Sequence, residues 1–404
     1  MLGAIIGDIV GSRWEFNPTN DYNFELFSDK NSYTDDTICT IAVADAILHG
    51  SNDFGQYIHS WCRRYPHPMG GYGGRFAQWV MSDNPRPYGS YGNGAAMRVS
   101  PVAWASNSQE EILHAAKLTA SCTHNHPEGI KGAQAIASAI RNARILREQY
   151  GGKWGKEEIR DFVRETVWKF PEYNIDIQIE KVKNRFDETC GGTVPVALWV
   201  IQNSTGFEDA IRRAVSLGAD ADTLGAIVGS IAEAIWGIPE WTKKKAITYL
   251  PEDMKSVVRE FHNRTKNNKP QSAIIYGVEY PNPDTVDWVP EVVPSLTLKE
   301  QQYKTFVRGY TPDWECRYAP YRFKDWLYIT RSGFWLKKFC FERCDDGLYH
   351  LSKLYTVKDM AGKDLIKTVL IEGYFKPQIY GWQYNTTNVE TLGKRVDVDV
   401  DGGE

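Results

Sequence analysis

Two widely separated segments of this chain each place aspartates and a threonine directly before an apolar run of small residues. The first is TDDT, residues 34–37, and the second is DADT, residues 220–223. Asp and Thr are good helix N-cap residues, but capping needs only one such residue at each helix start. Neighbouring carboxylates repel each other, and a semi-buried pair is tolerable only if a positive charge lies between its members.

These oxygen-rich clusters predict a site for divalent cations. Carboxylates and hydroxyls are hard ligands of the kind that Mg²⁺, Mn²⁺ and Ca²⁺ prefer. Asp220 and Asp222 can face one ion if the backbone there is extended, whereas the adjacent Asp35 and Asp36 diverge and could serve two ions. An EF-hand is excluded because no DxDxDG loop with a terminal Glu is present. Simple capping of two helices is the alternative interpretation.

A third acidic segment is GDIVGSRWE, residues 7–15, which contains Asp8 and Glu15. Its glycines, Gly7 and Gly11, are at helical spacing, so another backbone can pack closely against them. A phosphate-binding loop would require a Lys followed by Ser or Thr after the glycines, and that pair is missing. For Glu15 the alternative interpretation is an ordinary surface carboxylate.

Two further segments could bind a ligand. In YGNGAAMR, residues 91–98, the glycines allow close backbone approach, and the N–H groups of the helix that follows could receive a diphosphate. A tight turn entering a core helix is the alternative. The CTHNHP segment, residues 122–127, imitates a zinc site, but its spacing argues against one. A structural hydrogen bond is the usual role of a lone histidine, and His126 before Pro127 is expected to cap the next helix.

Helical patterns must position these side chains. Residues 1 to about 265 show helical periodicity: Ser108 and Glu111 have capping-box spacing, and PEGIKGAQAIASAIRNARIL, residues 127–146, repeats apolar residues on one face. The TVPVALWVI segment, residues 193–201, is apolar all round and is expected to be a buried helix.

The composition changes beyond the polar stretch NRTKNNKPQS, residues 263–272, which is typical of a linker. Aromatic and β-branched residues then predominate, and they predict a smaller β-containing domain. We therefore predict two domains, residues 1–265 and 273–404. The stretches richest in aromatic and β-branched residues are 271–280, 325–342, 364–375 and 378–385.

The aromatic side chains of this second domain allow two interpretations. They could stack nucleobases, but a β core or a protein-contact face is favoured. Nucleic acid is therefore not indicated as a partner and not excluded for this domain. The residues concerned are Trp314, Tyr318, Tyr321, Trp326, Trp335 and Trp382.

The bulk properties exclude several other classes. The 404 residues carry a net charge of −4, which gives no general attraction to nucleic acid or anionic membranes. Seven cysteines, an odd number, argue against a disulfide framework. No run of apolar residues is long enough to span a membrane, and the N-terminus lacks the basic lead of a signal peptide. A cytoplasmic location is the expectation.

Taken in order, GDIVGSRWE, TDDT, GNGAAMRVSPVA, THNHP and GADADT resemble the motifs of the ADP-ribosylglycohydrolase family over residues 1 to about 240. This resemblance implies an all-α orthogonal helical bundle, here followed by the smaller C-terminal β-containing domain. It also implies a centre of two Mg²⁺ or Mn²⁺ ions. The ligands it implies are Thr34, Asp35, Asp36, Asp220, Asp222 and Thr223.

The resemblance further implies a metal-dependent hydrolase that cleaves the glycosidic bond between ADP-ribose and an acceptor, such as an arginine or serine side chain. Glu15, Asp35 and Asp36 are the implied catalytic residues. A non-catalytic ADP-ribose-binding module and a metal-dependent nucleotide diphosphate hydrolase are the alternatives. The substrate-binding residues it implies are Gly92, Asn93, Gly94, Met97 and His124.

Overall fold

The computed structural model describes residues 1–270, 272–275, 278–308, 318–331 and 334–358, together with 365, 366 and 369. Helices form most of the first 270 residues, and antiparallel strands dominate the C-terminal part of the chain, so the predicted fold class is confirmed. Within the described part of the chain, no helix has the length and apolar character needed to cross a membrane.

The helices of the N-terminal part are named α1 to α14. In chain order they are Leu2–Gly11, Asp35–Leu48, Phe54–Arg64, Gly74–Met81, Gly94–Met97, Ser100–Ala105, Gln109–Ser121, Pro127–Gln149, Lys156–Lys169, Cys190–Gln202, Phe207–Val215, Ala221–Trp236, Glu240–Ile247 and Glu252–Thr265.

Local capping signals account for several helix starts. The Ser108 hydroxyl accepts a hydrogen bond from the Glu111 amide (3.3 Å) at the start of α7, as its spacing predicts. In a capping box the Glu111 carboxylate would accept a hydrogen bond from the Ser108 amide. Here it accepts from the Ser106 hydroxyl instead (2.6 Å). At the start of α8, His126 Nδ1 accepts from the Glu128 amide (3.2 Å), which confirms the predicted cap.

The antiparallel pair of α1 and α12 forms the centre of the helical body. Gly3, Gly7 and Gly11 of α1 pack against the backbone of Gly229, Gly225 and Ala221 of α12. A Cβ at Gly7 would overlap the Gly225 carbonyl, so a side chain there is excluded by contact. The C-terminal end of α1 therefore lies beside the N-terminal end of α12, where the two acidic segments are.

The chain divides into two compact units. The first comprises Met1–Arg147 and Trp154–Lys269, and the second comprises Glu148–Lys153 with the chain from Pro270 onward. The predicted domains, residues 1–265 and 273–404, stay a prediction.

The second unit consists mainly of strands, named β1 to β8 in chain order: Ser272–Ile275, Val278–Pro281, Val289–Pro290, Thr297–Leu298, Ala319–Phe323, Trp326–Arg331, Phe334–Arg343 and Tyr349–Thr356. Helix α15, Glu300–Arg308, follows β4 in the chain. The strands form an antiparallel sheet in the order β3-β8-β7-β6-β5, with β4 also paired to β8, and a separate antiparallel pair of β1 with β2.

Aromatic residues of this unit form a β core, which is one of the two interpretations that the sequence favours over nucleobase stacking. Tyr321 and Trp335 lie in a buried cluster, with Trp326 packed partly against it, and Tyr318 packs against a second cluster. Trp314 and Trp382 lie outside the described residues. So does the predicted strand-like stretch 378–385.

One stretch departs from its strand-like composition. The described residues of 364–375, namely Leu365, Ile366 and Val369, are helical and buried. Apolar β-branched runs fit either a strand or a buried helix, and packing decides between them.

Candidate active site

The two aspartate clusters meet where α2 and α12 begin. Asp36, in the first turn of α2, accepts a hydrogen bond through Oδ2 from the Thr223 hydroxyl (3.2 Å) in the first turn of α12. Both side chains are buried, as are Asp220 and Asp222. The fold thus brings residues from distant parts of the sequence to one place, as the oxygen-rich pattern predicts.

A third carboxylate, Asp8 of α1, holds the start of α2. Its Oδ2 accepts from the backbone amides of Thr34 (3.1 Å) and Thr37 (3.0 Å) and from the Thr37 hydroxyl, and its Oδ1 accepts from the Thr34 hydroxyl (2.8 Å). Asp8 is fully buried. A buried anion at a helix N-terminus receives otherwise unpaired N–H groups and a favourable dipole, so Asp8 fixes where Asp35 and Asp36 point.

Among the described N–H and hydroxyl groups, none donates to three buried oxygens of the cluster: Asp36 Oδ1, Asp222 Oδ1 and Glu15 Oε2. The Glu15 and Asp222 carboxyls lie close enough to share a hydrogen bond when one of them is protonated. Burial, followed by the nearby Asp8, Asp35 and Asp220, raises the pKa of Asp36 well above its ordinary value. Burial and the adjacent Asp220 have the same effect on the pKa of Asp222. Unpaired buried carboxylates are costly, so this cluster requires protons or cations.

Glu15 and Asp35 face the same cluster from its rim. Burial raises the pKa of Glu15 to about 8, and Asp220, Asp35 and Asp8 contribute in that order. Burial raises the pKa of Asp35 to about 7, with Asp8 and Asp220 adding to the effect. Perturbed carboxyls converging on one cavity indicate a functional site rather than helix capping alone.

The glycine-rich loop is joined directly to the acidic cluster. The Asn93 side-chain amide donates to Asp220 Oδ2 (2.7 Å) and to the Thr193 hydroxyl (3.1 Å), and its backbone amide donates to the Glu188 carbonyl (2.7 Å). A Cβ at Gly94 would lie 3.0 Å from His124 Nε2, so glycine allows the loop to approach the imidazole.

His124 is a neutral side chain in this site. It is 6% exposed, and burial, Arg98 and Arg75 hold its pKa well below the ordinary value. Its Nδ1 is 2.7 Å from the Thr123 hydroxyl, which also accepts from Arg98 Nη2 (2.7 Å). With Nδ1 engaged, Nε2 is the ring nitrogen that faces the glycine loop.

These groups line a cavity of about 400 Å³. The predicted residues that line it are Glu15, Asp35, Asp36, Gly92, Asn93, Gly94, Met97, His124, Asp220, Asp222 and Thr223. Thr34 is not among its lining residues; its hydroxyl donates to Asp8 and, at 3.5 Å, to Asp36. A ligand role for Thr34 stays a prediction.

Some residues that line the cavity were not selected from the sequence. Arg98 is 1% exposed and lines the cavity, and its Nη2 also donates to the Thr119 carbonyl (2.9 Å). Phe16, Phe186 and Glu188 also line the cavity, although local sequence gives no reason to select them. An arginine inside the apolar-flanked AAMRVSP segment was the one available signal, since buried arginines need partners.

Cys190 is a structural residue in this arrangement. It is fully buried, its thiol donates to the Gly92 carbonyl (3.1 Å), and burial raises its pKa to about 12. A thiol so far from ionisation is not a nucleophile at neutral pH.

The donor atoms of the cavity are of the type that divalent cations prefer. The unpartnered oxygens of Asp36, Asp222 and Glu15 and the Thr223 hydroxyl are a hard, oxygen-only donor set. In the part of the chain that the structure describes, however, no group of three or more His, Cys, Asp or Glu side chains is arranged to hold one ion as it stands. A bound cation would offset the repulsion among these carboxylates and draw them together.

Comparison with known proteins gives a consistent family. The sequence model of ADP-ribosylglycohydrolases matches residues 1–271. ADP-ribosylarginine hydrolase Tri1 of Pseudomonas putida (strain GB-1) is 26% identical over 325 residues, covering 69% of this chain and 80% of the relative.

Two other relatives are similarly distant. The ADP-ribosyl-(dinitrogen reductase) glycohydrolase of Rhodospirillum rubrum is 25% identical, over 59% of this chain and 85% of the relative. ADP-ribosylhydrolase ARH3 of Danio rerio is 24% identical, over 59% of this chain and 82% of the relative.

Proposed function

The chain belongs to the ADP-ribosylglycohydrolase family, and on that premise we propose that it hydrolyses the glycosidic bond between ADP-ribose and an acceptor. The observation that carries the proposal is the meeting of α1, α2 and α12 at one polar cavity beside the glycine-rich loop. Carboxylates from three distant segments converge there, and a purely ligand-binding module has no need of so costly an arrangement.

Different residues of the cavity bind different parts of the substrate. The Nε2 of His124, beside the Gly92–Gly94 loop, receives the diphosphate, with positive charge from Arg98 and Arg75 nearby. Asn93 is fixed by Asp220, so the loop and the acidic cluster keep a constant spacing. This arrangement presents the distal ribose to the carboxylates.

Glu15 is the residue best suited to activate water. Its Oε2 receives no hydrogen bond from the described N–H or hydroxyl groups, and burial with the neighbouring carboxylates raises its pKa, so its surroundings favour uptake of a proton. It would orient or deprotonate a water that attacks the anomeric carbon of the distal ribose. The half-buried Asp35, or Asp36, could take the same role, and substitution distinguishes them.

In the reaction, the water oxygen forms a bond to the anomeric carbon as the bond to the acceptor nitrogen or oxygen breaks. One water proton passes to the carboxylate, and the same carboxyl group or solvent returns one proton to the departing acceptor, so the products are ADP-ribose and the free acceptor. Positive charge develops on the sugar ring in the transition state, and the surrounding carboxylates stabilise it.

Two Mg²⁺ or Mn²⁺ ions are proposed cofactors of this site. The proposed ligands are Thr34, Asp35, Asp36, Asp220, Asp222 and Thr223. Bound divalent cations supply charge that offsets carboxylate repulsion, polarises ribose hydroxyls and lowers the pKa of bound water.

The direct test is incubation of the full-length protein with peptides carrying ADP-ribose on arginine or on serine, with product separation by chromatography. We expect free ADP-ribose, lost on addition of EDTA and restored by Mg²⁺ or Mn²⁺. Asp36→Ala and Asp222→Ala should lower turnover by at least ~100-fold with unchanged helical circular dichroism.

Other products would identify a different function. AMP and ribose phosphate from ADP-ribose indicate a diphosphate hydrolase. Calorimetric binding of ADP-ribose without any product indicates a binding module. Turnover that EDTA does not affect rejects the cation role.

A further inference from the structure

Two exposed aromatic rings stand at the cavity. Phe16 and Phe186 both line it, with ring centroids 6.1 Å apart and planes inclined by 30°. Phe16 is 70% exposed and Phe186 is 44% exposed. Single exposed apolar side chains are common, but a stacked pair beside a polar cavity is a surface that a ligand can cover.

A carboxylate accompanies this pair. Glu188, two residues after Phe186, is exposed and lines the same cavity. Its backbone is held at the glycine loop, because its carbonyl accepts from the Asn93 amide (2.7 Å). Among the described residues, no Lys, Arg or His lies within ion-pair distance of its side chain, unlike the exposed Glu180, whose carboxylate is 3.9 Å from Lys183 Nζ.

Charge assigns this surface to one part of a substrate. The cavity's cations, Arg75 and Arg98, suit the anionic diphosphate, whereas Glu188 would repel it. Phe16 directly follows Glu15, so the aromatic pair begins next to the carboxylate that faces the bond to be broken. The group on the far side of that bond is the acceptor.

A planar cation fits two rings and a carboxylate better than a neutral hydroxyl does. Guanidinium stacks on aromatic faces and forms paired hydrogen bonds with carboxylates, and it stays planar and charged when one nitrogen carries a sugar. A serine acceptor offers neither charge nor a planar group.

Resting on the proposed function, we propose that Phe16, Phe186 and Glu188 bind the guanidinium of the acceptor and select arginine-linked over serine-linked ADP-ribose. Glu188 pairs with the guanidinium, and the exposed surface of the ring pair packs against one face of it. These three are specificity-determining residues, and the chemistry at the anomeric carbon does not require them.

The test compares kcat/KM of the full-length protein for two peptides of one sequence, with ADP-ribose on arginine or on serine. Wild type should prefer the arginine-linked peptide. Glu188→Gln and the double variant Phe16→Ala with Phe186→Ala should each lower the arginine-to-serine ratio about tenfold, mainly through KM. Glu180→Gln and Trp168→Ala, an exposed carboxylate and a 74% exposed ring away from the cavity, should leave the ratio unchanged.

The outcomes separate this inference from the function on which it rests. Release of ADP-ribose with equal or reversed preference, or a loss in Glu188→Gln that is the same for both peptides, overturns the inference alone. Weaker calorimetric binding of free ADP-ribose in the phenylalanine variants would make the rings a nucleobase platform and would also overturn it. No release of ADP-ribose from either peptide overturns the proposed function as well.

Discussion

At the scale of single residues, Asp8 organises the site without lining the cavity. Its carboxylate accepts hydrogen bonds from two amides and two hydroxyls at the start of α2. Asp8, Thr34 and Thr37 are all buried, so removal of the carboxylate takes the acceptor from four donors in the protein interior. The direction of the Asp35 and Asp36 side chains therefore depends on a residue of another helix.

We predict that Asp8→Ala lowers the free energy of unfolding by about 3–5 kcal/mol, because several buried donors lose their acceptor. Urea unfolding followed by circular dichroism measures this. The matched control is Asp53→Ala, where an exposed N-cap of α3 loses one hydrogen bond from the Gln56 amide (3.0 Å); about 1 kcal/mol is expected there. Equal losses in the two variants would contradict the role assigned to Asp8.

At the scale of secondary-structure elements, the close contact of α1 with α12 sets the distance between the acidic segments. Glycines four residues apart on α1 face glycines four residues apart on α12, so the two backbones touch. Asp8 follows Gly7 directly, and Asp222 lies three residues before Gly225. A change in helix separation must therefore move the two carboxylates relative to each other.

Gly7→Ala should destabilise the protein by about 2–4 kcal/mol, because the added methyl group overlaps the Gly225 carbonyl and forces the helices apart. It should also weaken Mg²⁺ or Mn²⁺ binding in calorimetry, since the carboxylates separate. Gly206→Ala is the control: its backbone is extended, and nothing lies within 4 Å of the added Cβ. Cation binding as tight as in wild type would show that helix separation does not set the site.

Much of this element structure could be predicted because its signals are local. Ser108 and His126 each cap a helix within three residues, and the spacing of Gly7 and Gly11 indicates close backbone packing wherever the partner lies. The identity of that partner, α12, is not local information, since more than two hundred residues separate the helices.

The same reason explains what the sequence left undecided in the cavity. Phe186 and Glu188 reach it because the Glu188 carbonyl binds the Asn93 amide across the fold. Nothing within a few residues of either position records that contact. Leu365 and Ile366 are helical although their segment has a strand-like composition. Apolar composition alone does not distinguish a buried helix from a strand.

At the scale of the whole molecule, the acidic cluster makes stability depend on pH and on cations. Burial raises the pKa of Asp8 to about 6, of Asp35 to about 7 and of Glu15 to about 8. In the unfolded chain these carboxyls ionise near pH 4. Between those limits the folded protein binds more protons than the unfolded chain, so its stability falls as pH rises and levels off above the folded pKa values.

We therefore predict that EDTA-treated protein has a Tm at least ~2 °C lower at about pH 8 than at about pH 7, because Glu15 and Asp35 lose stabilising protons across this window. His124, whose pKa is lowered, stays neutral throughout it. Mg²⁺ or Mn²⁺ should raise Tm more at the higher pH, since a cation replaces the lost protons. Differential scanning calorimetry of the wild type and of Asp36→Asn with Asp222→Asn provides the comparison. The double variant should lose most of the stabilisation by the cation, whereas the pH effect should remain because Glu15 and Asp35 are unchanged. If the Tm of the EDTA-treated protein is the same at both pH values, or if the cation raises Tm equally at both, the repulsion among these carboxylates does not limit stability.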